Sequence, residues 1–118
     1  MILTWKKCGS NGHWCSFEKL GLNSISATSG VYMVFYNGSP GRVVYVGSSE
    51  KKIADRLSQH RADPRFSKYK KHNLLVTWAS TGIQSAKGVE RYLADEWEPL
   101  IGDAYPNATP IPVNSPFN

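Results

Sequence analysis

Long apolar runs are missing from this chain: nothing in its 118 residues approaches the ~20 consecutive apolar residues of a membrane-crossing helix. Cysteine is scarce. With only Cys8 and Cys15, a disulfide-built secreted framework is not expected, and buried thiols are the simpler expectation. The opening residues Met1-Ile2-Leu3-Thr4-Trp5-Lys6-Lys7 hold no apolar stretch behind their charges, so no signal peptide is expected and the expected compartment is the cytoplasm. Internal repeats, low-complexity tracts and long linkers are also absent. Together with 41% hydrophobic and 19% charged residues, these absences argue against disordered, collagen-like and coiled-coil chains. They leave one globular domain spanning 1–118.

Positive charge, by contrast, is concentrated. Fourteen Lys and Arg against nine Asp and Glu give a net charge of +5. Residues 42–72 carry Arg42, Lys51, Lys52, Arg56, Arg61, Arg65, Lys68, Lys70 and Lys71 against Glu50, Asp55 and Asp63. That segment is therefore +6, and the remainder of the chain is −1. A concentrated basic block points to an anionic partner such as nucleic acid, with a solvated face as the plain alternative.

Residues 1–28 read as an irregular extension, in which Ser16 caps one helical turn over 16–20. Val31 to Tyr36 and Val43 to Val46 are rich in β-branched and aromatic residues, and Asn37-Gly38-Ser39-Pro40-Gly41 between them is turn chemistry, which predicts an antiparallel hairpin. A helix follows, with Ile53, Ala54, Leu57 and Ser58 on one face and Arg56 and His60 one turn apart on its neighbour. Asp63-Pro64 and the Lys-rich stretch to Lys71 read as a helix end and an exposed connection. Leu74 to Ala79 is a third strand. From Ala86, the spacing of Val89, Leu93 and Trp97 predicts an amphipathic helix that Glu90 opens and Pro99 ends. Pro106, Pro110, Pro112 and Pro116 exclude regular structure from the final stretch, and residues 108–118 are expected to be a Pro-rich tail laid over the domain. The expected fold class is α+β, a small three-stranded antiparallel sheet flanked by helices.

Polar groups recur at telling places in this skeleton. Twelve residues, 33–44, separate Gly30-Val31-Tyr32 from Tyr45-Val46-Gly47. Arg56 follows Gly47 by nine residues, with His60 four further on; Leu93 and Pro99 follow Glu90 by three and nine. This ordered set resembles the paired signature and later motifs of the GIY-YIG nuclease superfamily, with Val for Ile at both middle positions. The resemblance covers about residues 29–107, and Asn107 is the candidate for the family's late asparagine, farther from Pro99 than is usual there.

The resemblance implies a metal-dependent endonuclease that hydrolyses nucleic-acid phosphodiester bonds, DNA before RNA, with Mg²⁺ or Mn²⁺ as cofactor. Its site would comprise Tyr32, Tyr45, Arg56, His60 and Glu90, shaped by Gly30 and Gly47. Arg56 would offer a planar cationic fork to phosphoryl oxygens. Glu90 as sole carboxylate ligand suits Mg²⁺, which keeps several waters. Tyr32 would activate the attacking water, assisted by Tyr45 or His60. An unperturbed tyrosine, with a pKa near ~10, needs cations beside it for that task. Arg42, Lys51, Lys52, Arg61, Arg65, Lys68, Lys70 and Lys71 would track the nucleic-acid backbone. Target choice would then come from DNA structure, self-association or another protein.

Two other classes compete: a catalytically inactive nucleic-acid-binding module of the same fold, and an interaction protein whose basic face takes an acidic partner. A zinc site on Cys8, His13 and Cys15 has the wrong spacing and no fourth ligand. His72 reads as a phosphate contact or an exposed side chain. Trp5, Trp14, Trp78 and Trp97 are core residues first, with Trp5 or Trp14 as stacking platforms second.

Overall fold

Seven residues with almost no polar atoms, Gly30–Tyr36, must be covered on both faces, and the architecture follows from that need. The computed structural model describes residues 1–8, 12–25, 29–38, 41–102 and 105–117. Ser39 and Pro40 of the predicted turn lie outside the described residues. In chain order the elements are β1 (Cys15–Ser16), β2 (Gly30–Tyr36), β3 (Arg42–Ser49), α1 (Ile53–Arg61), α2 (Pro64–Ser67), β4 (Leu75–Ser80) and α3 (Ile83–Trp97), with 3₁₀ turns at Leu22–Ser24 and Lys70–His72. The sheet is antiparallel throughout, in the order β1-β4-β2-β3. It has four strands where three were expected, because the two residues of β1 pair with Val76 and Leu75 of β4. A strand that short leaves no period to read in the sequence.

Alternation along the strands sorts the core into two layers. Tyr32, Val34, Tyr45, Val76 and Trp78 pack with Ile53 and Leu57 of α1 and Phe66 of α2. Val31, Met33, Phe35, Val46 and Ala79 pack with Val89 and Leu93 of α3. The β2–β3 register shifts between Val34 and Phe35: Val34 pairs with Tyr45, Phe35 with Val43, and Val44 is the extra residue. The exposed edge of β3 is covered by the chain after α3, since Leu100 and Ile101 donate their N–H groups to the carbonyls of Val43 and Val44.

Four local expectations are corrected. In α1 the buried face is Ile53, Leu57 and His60; Ser58 is exposed, because the histidine occupies the core-facing position one turn beyond Arg56. The stretch after Asp63 is not a plain connection. Asp63 caps α2, accepting the Arg65 N–H at 2.9 Å, and Pro64 occupies the first turn, where its missing N–H costs nothing. Hydrogen bonds from the Arg65 side chain and backbone hold the Asp63 carboxyl below its ordinary pKa, so the cap is intact above that range and is lost as acid protonates it. α3 begins at Ile83, so Glu90 lies in its middle rather than at its opening, and the helix ends where Glu98 turns to φ 45° ahead of Pro99. Finally, Cys8 and Cys15 are not thiols but a disulfide.

The termini belong to the core. Ser16 does accept the Lys19 N–H in its turn. Phe17 and Cys15 are buried, and Leu3 is tied to the tail through both its N–H and its C=O by the Asn114 side chain. The tail lies over α3 as expected, with Ile111 donating to the carbonyl of Gly88, where a Cβ would come within 2.6 Å of the Ile111 side chain. Phe117 then meets Trp97, Phe35 and Trp14 edge-on. Trp14 also carries the Lys7 ammonium over its ring, which makes it a packing residue rather than an open platform.

The disulfide closes a short loop of sequence separation 7, for which chain entropy gives about 2.5 kcal/mol. Denaturant titrations with and without reductant are expected to show a loss of about 2 kcal/mol on reduction. Equal midpoints would mean that the bridge does not hold β1 on the sheet. The pairing also removes the cysteine argument against an oxidising compartment. No helix among the described residues is long and apolar enough to cross a membrane.

Candidate active site

Gly47 stands opposite Tyr32 in the β2–β3 ladder. The Tyr32 ring lies across it: a Cβ at position 47 would collide with the Tyr32 hydroxyl and come within 2.5 Å of Cζ and 2.9 Å of Tyr45 Cε2. Glycine is therefore required here by close approach of a side chain. At Gly30, with φ 156°, a Cβ would run into the carbonyl of Ala79 across the β2–β4 ladder.

On this floor Tyr32 and Tyr45 stack with centroids 6.2 Å apart, and His60 of α1 lies 4.5 Å from the Tyr45 ring. Tyr32 Oη and His60 Nε2 share a hydrogen bond of 2.8 Å. Both phenols are buried, Tyr32 to 0% exposure and Tyr45 to 3%. Arg56, one turn before His60, brings its guanidinium against them. Burial by itself would lower the Arg56 pKa, but charge and hydrogen-bond interactions with Tyr32 and then Tyr45 raise it above its ordinary value. The cation is thus present at every working pH. Its Nη1 donates to Gln59 Oε1 at 3.2 Å, while its Nε is buried without a hydrogen-bond partner among the described residues.

Arg56 also lines a cleft of about 410 Å³ at the end of β3, where the cations Lys51 and Lys52 stand beside the carboxylates Glu50 and Asp55, with Ser48, Ser49 and Gln59 completing the lining. Glu90 comes from the other side of the sheet. It is 9% exposed, and Ser48 Oγ donates to its Oε1 at 2.5 Å. Tyr32, Tyr45, His60, Arg56 and Gly47 therefore meet in one cluster, and Glu90 reaches the same end of β3 through Ser48. Asn107 is exposed, next to Pro106, whose carbonyl accepts from Arg91 of α3 at 3.5 Å.

The basic block is one run in the sequence but not one surface. Lys51 and Lys52 rim the cleft. Arg42, at the other end of the eight-residue β3, borders a separate cavity of about 290 Å³ with Phe35, Trp97 and Phe117. Arg61 is half-buried and donates to the carbonyls of Phe17 and Leu20. Arg65 is paired with Asp63 at 2.8 Å, and Lys70 lies 3.9 Å from Glu18. Lys68 sits over the Tyr69 ring, Lys71 is exposed, and His72 stacks on Tyr36 at 4.1 Å.

Among the described residues, no group of three or more His, Cys, Asp or Glu could hold a metal ion. The bonded sulfurs of Cys8 and Cys15 are not thiolate ligands either. A single buried carboxylate with a hydroxyl beside it fits a hard cation that keeps its own waters and takes further oxygens from a phosphate. Pattern reading missed Ser48 and Gln59. Extending the alternation of β3 past Gly47 would have put Ser48 on the α3 side.

No protein-family model matches this chain, and no curated protein or solved structure matches it. The resemblance to GIY-YIG nucleases rests on the sequence motifs alone.

Replacing Gly47 by Ala is expected to displace the Tyr32 ring and break its bond to His60. Overpacking of this kind costs about 1–3 kcal/mol. Thermal melts and near-UV circular dichroism of the variant measure both effects, and an unchanged tyrosine signal would contradict the packing described.

Proposed function

We propose that this protein is a GIY-YIG-type endonuclease, hydrolysing phosphodiester bonds of nucleic acid, DNA first, with Mg²⁺ or Mn²⁺. One observation carries the reading: a permanently cationic, half-buried guanidinium lies against two phenols, one of which is hydrogen-bonded to His60, and it lines a cleft that Lys51 and Lys52 also line. Attack on a phosphodiester adds negative charge to the phosphoryl oxygens, so a fixed cation that needs no reorganisation lowers the barrier. Arg56 supplies that charge, and its planar guanidinium, which lines the cleft, is a donor fork suited to phosphate oxygens. The same cation favours the anionic form of whichever phenol gives up its proton. The Tyr32–His60 hydrogen bond would then let the pair take up the one proton of an attacking water, the phenol relaying it and the imidazole holding it. Glu90 would hold the metal ion, which when bound supplies Lewis-acid stabilisation of the leaving oxygen. Lys51 and Lys52 hold flanking phosphates, giving affinity without sequence preference.

A second reading, the catalytically inactive nucleic-acid-binding module, is favoured by the burial of both phenols, since a general base must reach water. The two readings separate in one experiment. Plasmid, branched, flapped and single-stranded DNA and RNA are incubated at low salt with wild type, Glu90→Ala and Arg56→Ala, each with Mg²⁺, Mn²⁺ or EDTA. The nuclease reading expects metal-dependent cutting, reduced about 10²–10³-fold in Arg56→Ala and lost in Glu90→Ala. Binding that survives Glu90→Ala, with no cutting by wild type, belongs to the inactive module. Absence of any salt-dependent binding would overturn both and favour an acidic protein partner.

For wild type, contacts from Lys51, Lys52 and Arg56 to three phosphates give a slope of log affinity against log salt of about −2.7. Fluorescence anisotropy between low and physiological salt measures it. A flat dependence would remove the cleft from the interface.

A further inference from the structure

Ser48 stands immediately after Gly47, and in an extended strand neighbours face opposite ways. Gly47 opens the side where Tyr32 lies; Ser48 pairs with Val31, which packs in the α3 layer. The serine hydroxyl has one proton to give, and it goes to Glu90 Oε1. Glu90 sits mid-helix and almost wholly buried, where a carboxylate needs donors to remain charged. One turn earlier on α3, Lys87 lies 3.7 Å from Glu50, the residue after β3, so the same stretch of helix is held to the strand end twice. Ser48 also borders the cleft that Arg56 lines.

We propose that Ser48 is a positioning residue, its hydroxyl fixing the Glu90 carboxylate in the orientation that binds the divalent cation. The proposal rests on the nuclease reading for its purpose, but the bond it invokes can be tested apart from cutting. Ser48 acts through Glu90 and fixes which oxygen faces the strand. Hydrogen bonds of this outer kind govern metal affinity by about 10–100-fold in other sites. Threonine retains the hydroxyl at this half-buried position, and alanine removes the donor.

The test measures Mn²⁺ binding by electron paramagnetic resonance and the Mg²⁺ concentration for half-maximal cutting, in wild type, Ser48→Ala, Ser48→Thr and Glu90→Gln. Circular dichroism with EDTA verifies that each variant is folded. Mn²⁺ binding that is lost in Glu90→Gln, weakened at least tenfold in Ser48→Ala and restored in Ser48→Thr supports the proposal, with the Mg²⁺ midpoint moving in parallel. If wild type cuts with metal and Ser48→Ala matches it in both readouts, the proposal falls and the nuclease reading stands. If wild type binds Mn²⁺ with this pattern but cuts nothing, the positioning role stands and the nuclease reading falls. Wild type that neither binds Mn²⁺ through Glu90 nor cuts overturns both.

Discussion

The Tyr32 ring lying across the bare backbone of Gly47 is the contact on which the candidate site depends. It brings the hydroxyl of a residue in the central strand within 2.8 Å of His60, which lies on a helix packed over the sheet. Once that ring is seated, Tyr45 stacks beside it, and Phe66 closes the stack from below His60 with centroids 4.9 Å apart. Arg56 is then confined to the mouth of an aromatic box. The place of the phenols against which the guanidinium lies thus depends on one missing side chain. The cluster is therefore a consequence of core packing, and it cannot be altered without a cost in stability.

How much of this was legible in the sequence depended on how far each signal ran. The hairpin, α1, β4 and α3 announce themselves through runs of six or more patterned residues, and they stand within a few positions of where the pattern puts them. Elements of two to four residues do not. β1 exists because the chain beside Cys15 lies along β4, a tertiary fact that no local pattern carries. α2 was hidden by the run of Lys around it, although Asp63-Pro64 is a cap followed by a favoured first residue. The start of α3 was misjudged because Ile83 is exposed and its first turn has no apolar stripe. Among the candidate residues, Tyr32, Tyr45, His60 and Arg56 lie together in the structure. Arg61 shows the limit of charge counting: about one turn of helix separates a cation at the cleft from a cation whose donors are spent on two backbone carbonyls.

The ends of the chain explain why so small a sheet is well protected. β4 would present an open edge, but β1 and the Lys6 N–H, which donates to the carbonyl of Trp78, occupy it. The edge of β3 is taken by Leu100 and Ile101. The tail returns over α3 and is joined to the first residues through Asn114 and through Trp5, whose indole N–H donates to the Asn114 carbonyl. First and last residues thus complete a layer whose core was set by β2, and the extension and tail are parts of the fold. Gly88 is where this becomes visible in the helix, since only an absent side chain lets Ile111 approach so closely.

The two faces of the sheet also constrain what the site can do. Arg56 is carried by α1 on one face and Glu90 by α3 on the other. Side chains on opposite faces of a sheet are separated by its backbone everywhere except at a rim. They can address one phosphate only where a strand runs out, and β3 runs out at Ser49, in the floor of the cleft. On the nuclease reading, the length and register of β3 are therefore as important to the chemistry as the residues themselves. A slip of one position would exchange Gly47 and Ser48, placing a hydroxymethyl group under Tyr32 and removing the donor from Glu90. The bulge at Val44 lies within the same strand, upstream of both residues. Beyond it Tyr45, Gly47 and Ser48 occur in phase with the two helices that use them, so the bulge is a condition for the site as much as a feature of the sheet.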